Sequence, residues 1–349
     1  MKLLLVSVKS EVSKGGIAVW TNMFLSKCPE YDIECELVNT EVVGKRLQKG
    51  VFLINLKDEF VRTRRIFKDL KCAIKNNRFD VAHLNTSCGT FGLFRDYIVA
   101  RKIKRKRIPL VIHFHCDIPF WIHNAISKKC LKMLVGLSDR RLVLCESSYR
   151  YLKNNFNVES EKIPNFVNEE IVLTHPKTIK DSVEKVFFVG RVERKKGIAE
   201  IYELAKRFPN ISFRLAGHPD EEVSTWDKPR NVELLGALPH DRVIEEMDAA
   251  DLFLFPSYSE GFSLALTEAM ARGLPCIATD VGANADMLAD ECGMITAVGD
   301  VDDMEISVGK MENASVRYKV SGRSVDKVKK CYTISSIINR LKEGYGALT

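Results

Sequence analysis

Residues 251–280 read DLFLFPSYSEGFSLALTEAMARGLPCIATD and hold one complete strand–loop–helix–strand step. The apolar run Asp251–Pro256 stops at a proline, which suits a buried strand. Ser257, Tyr258, Ser259, Glu260 and Gly261 then make a polar loop. Ser263 is placed to cap a helix through Leu266, Ala269 and Met270, and Gly273 with Pro275 ends it. Pro275–Thr279 reads as the next parallel strand. The loop therefore lies at the carboxyl end of a strand and at a helix N-terminus. There, free N–H groups at Gly261, Phe262 and Ser263 can receive an anion. Two carboxylates, Glu260 and Glu268, bracket that point.

A chain of 349 residues is long enough for two domains with separate cores. Its 46 % hydrophobic and 28 % charged residues exclude a disordered or membrane-embedded protein. The opening MKLLLVSVKS has too short an apolar run for a signal peptide, and Lys9, Glu11 and Lys14 follow at once, so it reads as a first buried strand. No apolar run approaches the ~18–20 residues that span a bilayer. The ten cysteines show no CxxC pairs or zinc spacings, and are expected as free thiols in a reducing compartment. The net charge of +7 conceals an asymmetry. Residues 1–165 carry 30 Lys and Arg against 16 Asp and Glu, and the remainder carries 23 against 30. A basic N-terminal half points to an anionic partner.

In that half, Leu3–Val8 is the first strand. Gly15 and Gly16 then open a helix with Val19, Trp20, Met23, Phe24 and Leu25. A glycine loop between strand and helix is either a phosphate cradle or a plain turn. Glu36–Val42 reads as a second strand. Phe60–Ile74 has helical periodicity with basic residues between, fitting a helix on the sheet with a solvated face or one that touches a membrane. Phe79–Asn85 is a helix-to-strand join. The run Arg101–Arg107 (RKIKRKR) is a solvated helix end or a patch for an anionic membrane surface. It lacks the interleaved aromatics of a nucleic-acid site, and no nucleic-acid partner is expected. Leu110–Asp117 is a strand ending at His115. His113 and His115 share a face, but no third ligand is spaced to complete a metal site. Asp300 and Asp302 form a DxD far from the glutamate pair, so no metal or other cofactor is expected. Residues 168–185 are polar and aperiodic. The domains are accordingly 1–167, a linker 168–185, and 186–332. An amphipathic terminal helix at 333–349 carries Ile334, Ile337, Ile338, Leu341 and Tyr345.

The second domain opens VFFVGRVERKKG from Val186, a strand running into Gly-Arg and then Lys-Gly before a helix. Arg191 offers a planar fork to phosphate oxygens and Lys196 a compact charge. The segment EGFSLALTEAMARGLP resembles the E-x7-E motif of retaining, nucleotide-sugar-dependent glycosyltransferases of family 4. The GR…KG segment and Ile163-Pro164-Asn165-Phe166-Val167 resemble further signatures of that family.

The resemblance implies an α/β protein of GT-B fold, two Rossmann-like parallel-sheet domains facing across a cleft. The first would serve the acceptor and the second the nucleotide sugar, with the terminal helix packing back on the first. It implies transfer of a sugar from a nucleotide-diphosphate donor to a glycan or lipid-linked glycan acceptor, in bacterial surface polysaccharide assembly, on the cytoplasmic side and peripheral to the membrane. Glu268 would bind the ribose. Glu260 and the backbone at Gly261, Phe262 and Ser263 would hold the sugar. Arg191, Lys196 and Gly16 would meet the diphosphate, and Leu238 the base. His115 would contact the sugar near the reacting carbon. Asn85, Asp117 and Trp121 are acceptor-side candidates. Two alternatives stay open: a nucleotide-sugar epimerase on the same fold, and a non-catalytic glycan- or lipid-binding module.

Overall fold

Short apolar runs, those of the central strands buried on both faces, alternate along the chain with amphipathic helices, and that pattern builds parallel sheets. The computed structural model describes residues 1–10, 15–42 and 56–349. The chain divides into two compact units, Met1–Asn165 with Ile334–Thr349, and Phe166–Thr333.

In the first unit the strands are β1 (Lys2–Ser7), β2 (Glu34–Asn39), β3 (Val81–Thr86), β4 (Leu110–Phe114), β5 (Arg140–Val143) and β6 (Glu161–Lys162). They form a wholly parallel sheet in the order β2-β1-β3-β4-β5-β6. The expected second strand begins and ends earlier than the sequence suggests. The part of the 36–42 reading that adjoins residues 43–55 borders a stretch outside the described residues, as does the loop at 11–14 ahead of Gly15. Covering helices are α1 (Gly16–Lys27), α2 (Leu56–Asn76), α3 (Thr90–Lys104), α4 (Ile118–Trp121), α5 (Ala125–Val135) and α6 (Glu146–Phe156). Leu4, Val6, Ile66, Leu70, Leu84, Leu93, Ile112 and Leu131 belong to one buried core between sheet and helices.

The expectation that every cysteine is a free thiol needs correction. Neighbouring strands β3 and β4 bring the loops at their carboxyl ends together, and Cys88 is paired there with Cys116, their Cα atoms 6.5 Å apart. The other eight cysteines are free.

The second unit repeats the plan with β7 (Lys185–Val189), β8 (Ser212–Ala216), β9 (Val232–Gly236), β10 (Leu252–Phe255), β11 (Cys276–Thr279) and β12 (Met294–Thr296). Their order is β12-β11-β10-β7-β8-β9, again parallel. Its helices are α7 (Ile198–Arg207), α8 (His240–Ala249), α9 (Leu264–Ala271), α10 (Asn284–Leu288), α11 (Val301–Met311) and α12 (Ala314–Cys331). The order reverses direction beside β7 and β10, so the loops after these two strands open at the switch point where such sheets bind ligands.

Residues 168–185, read from sequence as a linker, count with the second unit. Val172, Leu173 and Val183 are buried, the Leu173 N–H donates to Ala271, and Arg317 donates to the carbonyls of Lys180 and Asp181. The terminal helix α13 (Ile334–Gly346) counts with the first unit, where Ile337, Ile338, Leu341 and Tyr345 are buried. No described helix is long and apolar enough to cross a membrane.

Candidate active site

In the second unit the loop after β10 enters α9 as the residues dictate. Ser263 is the N-cap, its Oγ accepting the Leu266 N–H at 3.1 Å. That leaves the N–H groups of Gly261, Phe262 and Ser263 with no hydrogen bond among the described residues. They stand at the positive end of the α9 dipole, an arrangement that seats anions or sugar oxygens. Phe262 is buried edge-on against Tyr332, with centroids 5.5 Å apart, and anchors the loop.

Glycine makes the loop's close neighbours possible. Gly282, at φ +56°, lies where a Cβ would fall 2.3 Å from the Glu260 carbonyl oxygen. Gly197, at φ +77°, lies where one would fall 2.2 Å from that of Pro256. Only glycine takes these positions without strain.

The Lys196 Nζ donates to Glu260 Oε1 at 2.5 Å, with both side chains largely buried. This contact joins the Lys-Gly segment after β7 to the first glutamate after β10, across 64 residues of sequence. Lys196 Nζ also sits 5.7 Å from the centroid of the Phe255 ring. Arg191 is 69 % exposed and, among the described residues, its guanidinium is held by Glu193 alone, at 2.9 Å, so it is presented outward. Glu268, one face further along α9, pairs with His240 Nε2 at 3.0 Å. That carboxylate raises the His240 pKa above its ordinary value. Leu238 is half-buried in the loop between β9 and α8. Asp300 caps α11 and Asp302 pairs with Arg207, so the DxD carries helix-end roles. No cluster of three potential metal ligands occurs among the described residues.

In the first unit, the carboxyl ends of β1, β3 and β4 hold a buried polar network. Asn85 Oδ1 lies 3.0 Å from His115 Nε2 and 2.9 Å from His83 Nε2. Asn85 Nδ2 donates to Ser7 Oγ at 2.9 Å, which orients the amide so that its oxygen accepts from both rings. The other nitrogen of His115 faces the Asn165 amide at 3.2 Å, and that of His83 meets the Tyr345 hydroxyl at 2.6 Å. Burial drives the pKa of His115 down to about 3, with the nearby His83 adding to the shift; burial alone takes His83 to about the same value. Both rings are thereby favoured in the neutral, hydrogen-bonding form.

Asn85 also lines a cavity of about 150 Å³ with Arg62, Arg95, Glu59 and the exposed ring of Phe91. Asp117 accepts from Ser147 Oγ at 2.6 Å, which ties the loop after β4 to α6. Trp121 is 43 % exposed, beside Phe120. Gly16 begins α1 with no described atom within 4 Å of where a Cβ would stand, and its N–H and that of Ile17 have no partner among the described residues.

Of the residues singled out from sequence, the structure thus brings Lys196, Glu260 and Gly261–Ser263 together in one unit, and Asn85 with His115 in the other. His240, Arg62 and Arg95 were missed. His240 looks like an ordinary helix start after Pro239, and the arginines look like parts of basic helix faces.

Two family models match the chain. "Glycosyltransferase Family 4" covers residues 15–171 and "Glycosyl transferases group 1" covers residues 173–323. The chain is 25 % identical over 260 residues to the 2-deoxystreptamine N-acetyl-D-glucosaminyltransferase of Niallia circulans, covering 65 % of each chain. It is 25 % identical over 239 residues to the phosphatidyl-myo-inositol mannosyltransferase of Mycolicibacterium smegmatis, covering 63 % of this chain and 60 % of the other. The chain thus spans a little under two thirds of these relatives' length. The crystal structure of Anabaena HepE with UDP and glucose superposes with a TM-score of 0.73 at 15 % identity, over 99 % of this chain and 100 % of the other. The fold is GT-B, and the chain is a member of the family 4, group 1 glycosyltransferases.

Proposed function

We propose that this protein transfers a sugar from a nucleotide-diphosphate donor to a hydroxyl of a glycan or lipid-linked glycan, with retention of configuration. Its setting in this reading is the cytoplasmic face of a membrane, in the assembly of a bacterial surface polysaccharide, with Arg101–Arg107 turned to the anionic lipid. The observation that carries the reading is the 2.5 Å Lys196–Glu260 pair beside the three unpartnered N–H groups of Gly261, Phe262 and Ser263. Cation, carboxylate and free backbone donors are what a sugar diphosphate needs at one place. HepE, of the same fold, has been solved with UDP and glucose. The mannosyltransferase relative is named for phosphatidyl-myo-inositol.

In this reading the diphosphate leaves as the glycosidic bond lengthens. Arg191, Lys196 and the N–H groups at Gly16 meet the charge that builds on it, a preorganised stabilisation that places cationic side chains where other enzymes use a metal. Glu260 fixes the Lys196 ammonium and takes sugar hydroxyls on its second oxygen. Glu268 holds the ribose, with His240 orienting it, and the backbone at Leu238 meets the base. His115 contacts the sugar near the anomeric carbon. The leaving phosphate removes the acceptor proton on the same face, which gives retention without a covalent nucleophile. Asn85, Asp117 and Trp121 belong to the acceptor side.

Thermal denaturation in the presence of UDP, GDP, ADP or dTDP tests the donor site. A diphosphate near 100 times its Kd adds about 2.7 kcal/mol of stability. One of them should raise the midpoint, and Lys196→Ala and Glu268→Ala should abolish the rise. No shift with any nucleotide would favour a non-catalytic module. The anomeric configuration of the product, read by NMR, tests retention.

A further inference from the structure

The cavity of about 150 Å³ beside Asn85 lies at the carboxyl ends of β1, β2 and β3, and two guanidiniums line it, Arg62 from α2 and Arg95 from α3. The two residues are only 9 % and 8 % exposed, a depth at which arginine is rare unless it has a partner. Arg62 has its partners. Its Nε and Nη2 donate to the Thr40 carbonyl, which braces the end of β2, and its Nη1 donates to Glu59 at 3.2 Å. Arg95 is less fully engaged. Its Nε donates to Asp96 Oδ1 at 2.8 Å and its Nη2 lies 2.7 Å from the same oxygen, while Nη1 has no hydrogen bond among the described residues. A Cβ on Gly92 would stand 3.9 Å from Arg95 Nη2, so the guanidinium lies back along the first turn of its own helix.

That first turn is itself a surface of donors. Gly89 caps α3 without a side-chain bond, and the N–H groups of Thr90, Phe91 and Gly92 have no hydrogen bond among the described residues. All four residues line the cavity, as does Ser87. The wall holds one acid, Glu59, and Arg62 already occupies it.

Bracing explains Arg62. It does not explain Arg95, whose contacts are with the residue next to it in sequence. Two guanidiniums at this depth also oppose each other: burial first, and the Arg95 charge next, lower the Arg62 pKa to about 10. The positive end of the α3 dipole adds to the same wall. An oxyanion there would relieve the repulsion and take the free N–H groups as donors. A neutral sugar would leave the charge unanswered. At about 30 Å³ for each water, the cavity holds about five, which is room for one phosphate or carboxylate with the atoms that bear it, and too little for a nucleotide.

We infer that this cavity seats an oxyanion, a phosphate or a carboxylate, borne by the acceptor, with Arg95 and the first turn of α3 as its donors. Asn85 is wall to the cavity and lies 3.0 Å from His115, so an acceptor anchored by its anion has its neighbouring atoms on the His115 side. The inference rests on the transferase reading and narrows the acceptor to a charged glycan or sugar phosphate.

The test is calorimetric titration of the full chain, at constant ionic strength and without donor, with inorganic phosphate, glucuronate and glucose. Saturable binding is expected from phosphate, from glucuronate or from both, and none from glucose. Phosphate alone assigns a phosphorylated acceptor, and glucuronate alone an acidic sugar. Binding of neither anion, or of glucose as tightly, would overturn the seat. Arg95→Gln with Asp96→Asn removes the cation together with its buried counter-ion and should weaken binding by about tenfold or more. Thr90→Pro removes one N–H and one hydroxyl from the wall and should weaken it severalfold. It keeps α3 intact, because proline suits the first helical position and Gly89 before it is already extended, at φ −62° and ψ 139°. Full affinity in either variant would refute the inference. Lys196→Ala should leave anion binding unchanged, and an equal loss there would move the anion to the donor site and refute it too. The nucleotide-induced thermal shift should survive in the Arg95 and Thr90 variants, so a failed anion seat and a failed transferase reading give different results.

Discussion

Single side chains in this protein owe their charge state to partners far away in sequence. His240 is protonated to higher pH than the ordinary 6.5 because it gives a hydrogen bond to Glu268. A raised folded value means the pair's stabilisation is whole below pH 6.5 and is lost as pH climbs through the folded pKa. The midpoint difference between the wild type and His240→Gln should therefore be largest in mild acid and shrink towards alkaline pH. A difference that widens with pH would refute the pairing. The buried rings of His83 and His113 and the half-buried ring of His115 work in the opposite sense. Each is held neutral by burial, while the unfolded chain binds their protons below about pH 6.5. Denaturant titrations should show stability falling on acidification, by up to about 1.4 kcal/mol per pH unit for each ring. Replacing His113 by an apolar residue of like size should flatten that fall. Glu260, Glu268, Arg191 and Lys196 were singled out from the sequence because motif spacing marks them. The His240 pairing was not, since 28 residues separate the partners and only the fold joins them. The Cys88–Cys116 pair was hidden likewise, because strand order, which no local pattern reveals, makes these loops neighbours.

Among the elements, the loop from β10 to α9 is the one most tightly specified by its own residues. Proline stops the strand, Ser263 caps the helix, and both were readable because they are local chemistry. What the sequence did not reveal is how closely another loop presses on it. Gly282 sits against the Glu260 carbonyl in a left-handed conformation. Gly282→Ala should cost about 1–3 kcal/mol through strain and the clash. It should also displace Glu260, so that nucleotide binding weakens by more than the stability loss alone explains. Calorimetric titration beside thermal denaturation separates the two, and binding of wild-type strength in a destabilised variant would show that the loop holds its place without the glycine. The helices α2 and α3 make the contrasting case. Their periodicity announced helices, yet periodicity alone left the destination of each basic face open. Only the packing shows that Arg62 of one and Arg95 of the other share a cavity.

At the scale of the molecule, two parallel sheets followed from alternating strand and helix signals, because each unit is assembled from repeated local steps. The polar stretch 168–185 was harder. Its anchors, Val172, Leu173 and Val183, are too few and too irregular to show a period. The terminal helix contributes Ile337, Ile338, Leu341 and Tyr345 to the first unit, with the Tyr345 hydroxyl reaching His83. Ending the chain at Thr333 should lower the thermal midpoint markedly and weaken the near-ultraviolet dichroism of Trp20, a ring packed against Phe24 and His83. An unchanged spectrum would make the helix dispensable. Because the first unit takes its last sixteen residues, Ile334–Thr349, from beyond the whole of the second, the order of synthesis is not the order of completion. On the ribosome the first sheet emerges early and waits, its terminal helix untranslated, while the second unit is made. The residues of the first sheet must therefore stay competent to accept the helix at 334–346, and nascent chains halted before residue 334 should expose the first unit to proteases or chaperones that the released protein escapes.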